Sequence, residues 1–398
     1  MKKLLAAILC IAMIFSFAAC GGTTTGNKEK EDLGENPIIV GSYMPLTGNN
    51  AGSGIVETQG MQIAFDAFNA AGGLNGRKIK FIQYDSTGTS EGATKAVTRL
   101  IEEDGAKIIA GSFLSASVLA ASALTEKAKV LHVGTGTGAT WTNIGLDYTY
   151  RATANGNLPV ATMVDEIIDL EKKSIALVSA ATEYGQSGHD SIIAECAAKN
   201  IEVKIDLTYQ SADTDFSGII SRLLKAEADT IVLYGNGNEL AVIIKQLRQN
   251  GYEDLIFTIE GGANSEMFTV ARDASNGLSF AATYVVPATP EEAATPLMKQ
   301  LLTDYYATYK EMPYSDCFYR GYDQGMLIVE AIKNAENPDD GESLMKAFRN
   351  IKGMELLGGT FDYTAGTGDG LTQVNKWMIL DGKIQVYDKA ALQAFENK

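Results

Sequence analysis

The chain has 398 residues, with 33 Lys plus Arg against 49 Asp plus Glu, a formal net charge of −16 and only two histidines. This acidic balance, with no basic run, excludes the electrostatic footprint of a nucleic-acid-binding protein. The sequence contains no H-E-x-x-H, Cys/His cluster or G-x-S-x-G, so neither zinc chemistry nor a nucleophile elbow is visible.

The N-terminus opens with the basic "MKK", runs through the apolar "LLAAILCIAMIFSFAA", and reaches "FAAC", with small residues before Cys20. A basic start, an apolar stretch and a small-residue cleavage site make a secretory signal over residues 1–19. The cysteine followed by "GG" resembles a bacterial lipobox, in which Cys20 is lipidated and becomes the first residue of the mature chain. Residues 20–36 are polar, rich in Gly and Thr and charged, which predicts a flexible tether. The expected location is extracytoplasmic, held at the cell membrane by the lipid on Cys20.

Cleavage leaves 398 − 19 = 379 residues, more than one core accommodates. From Pro37 the pattern is strand, loop and helix in repetition. "PIIVGSYMPL" is a strand and loop; "GIVETQGMQIAFDAFNAAGG" carries Met61, Ala64, Phe65 and Phe68 at helical spacing and ends in a glycine pair. Strand "KIKFIQYDS", helix "SEGATKAVTRLIEEDGA", strand "KIIAGSF", helix "SASVLAASALTEKA" and strand "KVLHVGTG" follow. The rhythm restarts after "YRATANG" and yields four more helix–strand pairs, ending in "DLIFTIEGG". Residues beyond about 286 differ: three helical stretches, the turn-rich "GGTFDYTAGTGDG" and a hairpin in "NKWMILDGKIQVYD".

Short apolar strands alternating with helices imply parallel sheets with right-handed crossovers. The fold class expected is α/β: two doubly wound three-layer lobes joined by a multi-strand hinge. Residues 37–153 and 287–369 form lobe 1, and residues 154–286 and 370–398 form lobe 2. Cys196 and Cys317 either pair or stay apart, with Cys196 a small buried hydrophobe on its helix. His132 alternates with apolar residues as a strand residue does, and His189 sits near a helix start with no catalytic partner in the sequence.

In open parallel sheets, ligands bind beyond the carboxyl ends of the strands, so the loops there carry the candidates. "GSFLSAS" leads into a helix starting near Ser117, and a helix start with Ser115 and Ser117 suits an anion. Helix capping is the competing reading, stronger for Ser117 than for Ser115. Residues 134–140 read "GTGTGAT", one form of the dinucleotide fingerprint, yet "TWTNIGLDYTY" behind it has no helical period. Without that helix and an acid about 20 residues on, the dinucleotide reading fails and no cofactor is expected. The glycines still permit close backbone approach, and Thr135 and Thr137 offer polar groups to a small ligand. Glu260 ends a strand in "FTIEGG", either solvated or paired with a cation at a ligand site. Tyr184 in "ATEYGQSG" and Asn236 in "VLYGNGNE" occupy similar strand-end positions.

Taken together, "MPLTG", "AGGLNGRKIKFIQYDS", "GSFLSAS", "GTGTGAT", "EYGQSG", "DFSGIISRLLKAEADTIVLYG", "IEG" and "GYDQG" resemble, in order and spacing, the branched-chain amino-acid-binding proteins. These are solute receptors of ABC importers with the type I periplasmic-binding-protein fold, and the resemblance runs from Pro37 to the C-terminus. It implies that Ser115 holds a ligand α-carboxylate by hydroxyl and N–H, and that Thr137 touches the same carboxylate. It further implies that the Thr135 carbonyl accepts from the α-ammonium and that Glu260, from the other lobe, pairs with it. Tyr184 and Leu114 remain suitable as pocket walls. Ser53, Asn236 and Cys317 fall where aromatic rings are common in the family, so the pocket is expected to be wider or more polar than one built for leucine. The resemblance implies a monomeric, non-enzymatic receptor that passes an amino acid to the permease subunits of an importer. A sensory lipoprotein for an amino acid, amide or urea is the alternative, and the lack of an onward signalling segment after residue 398 favours transport.

Overall fold

The computed structural model describes residues 33–397, apart from 49, 139–140, 143, 211–212, 236, 264–265, 288, 294, 314 and 373. The signal segment and Cys20 therefore lie outside the described residues, as does most of the tether.

Five short strands build the first sheet: β1 (Ile38–Ser42), β2 (Ile79–Gln83), β3 (Ile108–Ala110), β4 (Leu131–Gly134) and β5 (Thr149–Arg151). They are all parallel in the order β2-β1-β3-β4-β5. Helices α1 (Ala51–Ala70), α2 (Ser90–Glu102) and α3 (Ser115–Ala128) make the crossovers. Because side chains alternate across a strand, each sheet face has its own apolar set. Val40, Ile108, Leu131 and Val133 pack with Met61 and Phe65 of α1, whereas Ile109 packs with Val97, Leu100 and Ala121 of α2 and α3.

The second sheet contains β6 (Ser174–Ala180), β7 (Glu202–Tyr209), β8 (Thr230–Tyr234), β9 (Ile256–Thr258) and β10 (Leu278–Ala282). Its order is β14-β13-β10-β9-β8-β6-β7, parallel except for the antiparallel hairpin of β13 (Asn375–Leu380) and β14 (Lys383–Val386). Helices α4 (Asn157–Asp169) and α5 (Glu183–Ala198) cover one face, and α6 (Ser217–Lys225) and α7 (Gly237–Gln249) the other. The hairpin expected in "NKWMILDGKIQVYD" is present, turning at Asp381 and Gly382, both with positive φ. Strand β10 and the C-terminal helix α11 (Lys389–Glu396), which seats Leu392 against the α4/α5 face, were not among the expected elements.

The three helical stretches after residue 286 are α8 (Pro296–Tyr309), α9 (Cys317–Asn334) and α10 (Gly341–Arg349), followed by a small sheet of β11 (Met354–Leu356) and β12 (Gly359–Phe361). Leu327, Ile328 and Phe348 of α9 and α10 join the core of the first sheet. Helices α1 and α9 cross at glycines: a Cβ on Gly60 would lie 2.1 Å from the Phe318 carbonyl oxygen, and one on Gly321 would lie 1.9 Å from that of Glu57. The result is two three-layer α/β lobes.

The chain passes between the sheets three times, after β5, after β10 and before β13. Arg151 ties the first passage to the third, its Nε donating to Asp369 Oδ1 at 2.7 Å and its backbone N–H to the Gly368 carbonyl at 2.8 Å. Asn375 Nδ2 donates to the Thr283 carbonyl at 3.2 Å and ties the third passage to the second. These cross-links make a multi-strand hinge.

Candidate functional site

Helix α3 begins at Ser115, with Leu114 at the N-cap, two residues earlier than the sequence pattern suggested. The extended φ and ψ of Leu114 end the preceding loop, and Ser117 is buried inside the first turn. Ser115 is therefore at the first helical position, where its own N–H is one of the unsatisfied donors of a helix start. Its hydroxyl accepts from the Gly138 N–H at 2.9 Å. Added Cβ atoms on Gly136 or Gly138 would each come within 2.8 Å of that hydroxyl oxygen. The glycines of "GTGTGAT" thus allow the loop to lie against the helix start.

Among the described residues, no helix lies between that loop and β5. Its carbonyls are instead held from behind by the buried Arg151 guanidinium, which donates to the carbonyl of Gly136 and, at 2.8 Å, to that of Gly138. The same guanidinium lies 4.1 Å over the Trp141 ring. Thr137 is half-buried, and its carbonyl accepts from the Gly156 N–H at 2.7 Å. Thr135 is buried, and its hydroxyl donates to Glu57 Oε1.

From the second lobe, Glu260 opens a short 3-10 turn directly after β9, on the carboxyl side of the sheet. Burial pushes its carboxyl up to about 7; the Arg320 guanidinium acts the other way, and Asp316 adds to the rise. Tyr184 lies in the first turn of α5, whose start is capped by the Thr182 hydroxyl accepting from the Gly185 N–H at 3.0 Å. Its ring is 4.8 Å from that of Tyr234 at the end of β8, centroid to centroid, and both phenols feel the charge of Glu260. Gly188 makes room for the Tyr234 ring, since a Cβ there would lie 1.9 Å from it. Tyr184 is 37 % exposed.

Ser53 of α1 and Cys317 at the start of α9 converge on Ser315, whose hydroxyl lies 3.3 Å from that of Ser53 and is hydrogen-bonded to the Cys317 thiol. Cys317 and Cys196 are both buried and free, which settles the pairing alternative. Burial pushes both thiols up, far from reactive thiolates. Asn236 lies outside the described residues. Leu114 is half-buried beside Gly88.

Sequence reasoning missed Arg320, Asp316, Glu57 and Tyr234. Arg320, in the first turn of α9, is held through Nε and Nη2 by Asp316 Oδ2 at 2.7 and 2.6 Å, and its Nη1 is 3.5 Å from the Thr135 carbonyl. Glu57 is fully buried with Oε2 unpartnered, and burial pushes its carboxyl up to about 8 against the opposing pull of the Thr135 hydroxyl and Arg320. Arg320, Asp316 and Glu57 thus cluster at the Thr135 loop of the first lobe, with Glu260 of the second within their electrostatic reach. The "GYDQG" motif is structural. Asp323 accepts from the Tyr284 hydroxyl and the N–H groups of Leu357 and Gly358 at 2.7–3.1 Å, and Gln324 donates to the Val133 carbonyl at 2.6 Å.

The histidines stand apart from this site. His132 is buried in β4, with Nε2 2.8 Å from the Tyr43 hydroxyl and 3.0 Å from the Gly111 carbonyl oxygen, and burial pushes it down to about 4. His189 pairs with Asp206 at 2.7 Å and Asp190 at 2.8 Å near the surface. Two surface cavities, one lined by Tyr84, Asp85 and Arg99 and one by Arg248, Glu253 and Phe395, contain none of the site residues. Among the described residues, no group of three His, Cys, Asp or Glu side chains could hold a metal ion, and no helix is long and apolar enough to cross a membrane.

Comparison with known proteins places this geometry in context. The Leu/Ile/Val-binding protein homolog 3 of Brucella melitensis is 27% identical over 353 residues, covering 87% of this chain and 92% of the relative. The isoleucine complex of LivJ, a branched-chain amino acid transporter substrate binding protein from Streptococcus pneumoniae, superposes with a TM-score of 0.73 at 24% identity, covering 88% of this chain and 98% of LivJ. An R. palustris solute binding protein in complex with benzoate gives a TM-score of 0.71 at 20% identity over 88% of this chain and 95% of its own, so the shared fold alone does not name a ligand. A family model described as periplasmic binding protein matches residues 37–379. With that match over both lobes and the hinge between them, the chain belongs to the periplasmic binding protein family, in its type I architecture.

Proposed function

We propose that this protein is an extracytoplasmic receptor that captures an α-amino acid between its lobes and delivers it to the permease subunits of an ABC-type importer. What carries the reading is a pair of complementary ends, one on each lobe. On one side are the Ser115 helix start and the 135–138 loop; on the other is Glu260, whose carboxyl burial has left short of positive charge. A helix start with hydroxyls suits a carboxylate, and a desolvated acid suits an ammonium.

In this scheme Ser115 and Thr137 hold the ligand α-carboxylate, while Thr135 and Glu260 face the α-ammonium. Tyr184 and Leu114 form walls; Ser53, Asn236 and Cys317 border the side-chain end. Ligand binds the first lobe, and bending at the hinge brings Glu260 and Tyr184 onto it. No bond is made or broken and no cofactor takes part. We assign the lobes to residues 37–153 with 287–369 and 154–286 with 370–398. The receptor works as a monomer, anchored at the membrane by lipid on Cys20.

A thermal-shift screen of the mature chain against the common amino acids tests the reading, because a ligand that binds only the folded state raises its melting temperature. A specific shift with at least one α-amino acid is expected. No shift with any of them, at millimolar concentration, contradicts it.

A further inference from the structure

One guanidinium serves both the hinge and the 135–138 loop. Arg151 ends β5 with its side chain fully buried, and Asp369 beside it is 19% exposed. Nε donates to Asp369 Oδ1 at 2.7 Å, joining the first passage between the lobes to the third. Nη1 donates to the Gly136 carbonyl and Nη2 to the Gly138 carbonyl at 2.8 Å, one on either side of Thr137. Nη2 also donates to the Thr142 hydroxyl oxygen at 3.2 Å, and that hydroxyl donates to Asp369 Oδ2 at 3.2 Å. The path continues toward the second sheet: Asn155 Nδ2 donates to Asp369 Oδ2 at 3.1 Å, and Asn155 Oδ1 accepts at 3.1 Å from the N–H of Asn157, which opens α4. A planar fork with fixed donor directions holds several acceptors in one geometry, which a single ammonium cannot do.

Resting on the amino-acid reading above, we propose that Arg151 is a positioning residue that couples ligand capture at the 135–138 loop to bending of the hinge. In that reading it touches no ligand. It acts through the Gly136 and Gly138 carbonyls, which fix Thr137, and through Asp369, which the hinge carries. Bending shifts Asp369 and Asn155 against β5, and a buried guanidinium cannot release either end without leaving charge or donors unpaired. The loop therefore follows the hinge, and its fit to a carboxylate differs between the open and the bent form. Such coupling is reciprocal: a carboxylate in the loop favours the bent form as much as bending tightens the loop on the carboxylate. The buried Trp141 ring, 4.1 Å from the guanidinium, covers its face, and its Nε1 donates to the Gly136 carbonyl at 3.2 Å.

Calorimetry and small-angle X-ray scattering on the same samples test this, using as probe the common amino acid that raises the wild-type melting temperature most. The wild type is expected to contract, in radius of gyration, on saturation. Arg151→Lys keeps the charge but cannot span Asp369 and two carbonyls; Asp369→Asn keeps the shape and removes the charge. Each, verified as folded by its melting curve, is expected to bind about fivefold or more weakly, the lower end of a coupling effect, and to show less than half the wild-type contraction when saturated. A merely structural role would lower affinity or melting temperature yet leave the contraction at saturation as in the wild type, and that result overturns the proposal. Wild-type affinity in both variants overturns it too. In the wild type alone, amide hydrogen exchange should slow on binding at Arg151 and Gly156 as well as at Gly138; slowing confined to Gly138 overturns the coupling without any variant. Binding that does not contract the wild type overturns the coupling and leaves the amino-acid clasp standing. Binding of no amino acid at all overturns the reading beneath it as well.

Discussion

Arg320, in the first turn of α9, donates Nε and Nη2 to one oxygen of Asp316 at the N-cap position, at 2.7 and 2.6 Å. The pair places a guanidinium near Glu260 with its charge largely spoken for. Burial pushes the Glu260 carboxyl up to about 7 although Arg320 pulls it down, and in the proposed clasp a ligand ammonium supplies a further cation. Removing the charge of Asp316 should end that arrangement. In Asp316→Asn the guanidinium turns to the remaining carboxylates and competes with the ligand for Glu260. Amino-acid affinity measured by calorimetry is expected to fall at least fivefold, with the melting temperature of the free protein changed far less than the affinity. Unaltered affinity would mean that the pair plays no part in the clasp.

The same carboxyl gives binding a pH dependence. Glu260 faces Arg320 and Asp316 from α9, Tyr184 from α5 and Tyr234 from β8, and with burial foremost its proton leaves at about pH 7. An ammonium binds the ionised form, so at lower pH part of the binding energy is spent releasing a proton. Affinity is expected to drop about tenfold from pH 8 to pH 6 and to level off above pH 8, the drop following from a titration near pH 7. Titration in two buffers of different ionisation enthalpy should show proton release at pH 6. A flat profile between pH 6 and pH 8 contradicts the assignment.

A second buried acid, away from the cleft, should control stability. Glu166 of α4 is fully buried and accepts from the Ser279 hydroxyl at 2.8 Å; burial pushes its carboxyl up to about 8, with Ser279 and Lys376 opposing. A carboxyl whose folded pKa lies above its unfolded value is protonated in the fold while already ionised in the unfolded chain. The folded state then binds more protons, so stability falls as pH rises from about 4.5 through about 8. Chemical denaturation is expected to show this decline in wild type and a shallower one in Glu166→Gln. The variant should gain on wild type toward pH 8 while binding ligand as before. An identical slope in both proteins would assign the titration elsewhere.

How much of this was legible in the sequence follows from where each residue sits. The two-lobe α/β fold and the hairpin could be read because short apolar strands and amphipathic helices alternate so regularly. Ser115, Thr137 and Glu260 could be singled out because they lie just beyond strand ends, where parallel sheets place ligands. The start of α3 was misplaced by two residues because Ser115 looks like a cap, whereas its hydroxyl answers an N–H 23 residues away in the "GTGTGAT" loop. Arg320 and Glu57 went unnoticed because they lie within helices among residues that read as core. One signal was available: in "CFYRGYDQG" a charged residue immediately precedes a glycine at a helix crossing, and so stands beside the buried face. The states of Cys196 and Cys317 depend on distances no spacing rule supplies.

Calorimetric titration of wild type and Glu260→Ala with the amino acid identified by screening tests whether Glu260 pairs with the ligand ammonium. Loss of the carboxylate leaves a buried ammonium unpaired, which costs roughly 2–5 kcal/mol of binding free energy, a loss of at least about thirtyfold in affinity. That loss, with the variant folded, is the result this account predicts. Equal affinity in the two proteins would contradict it.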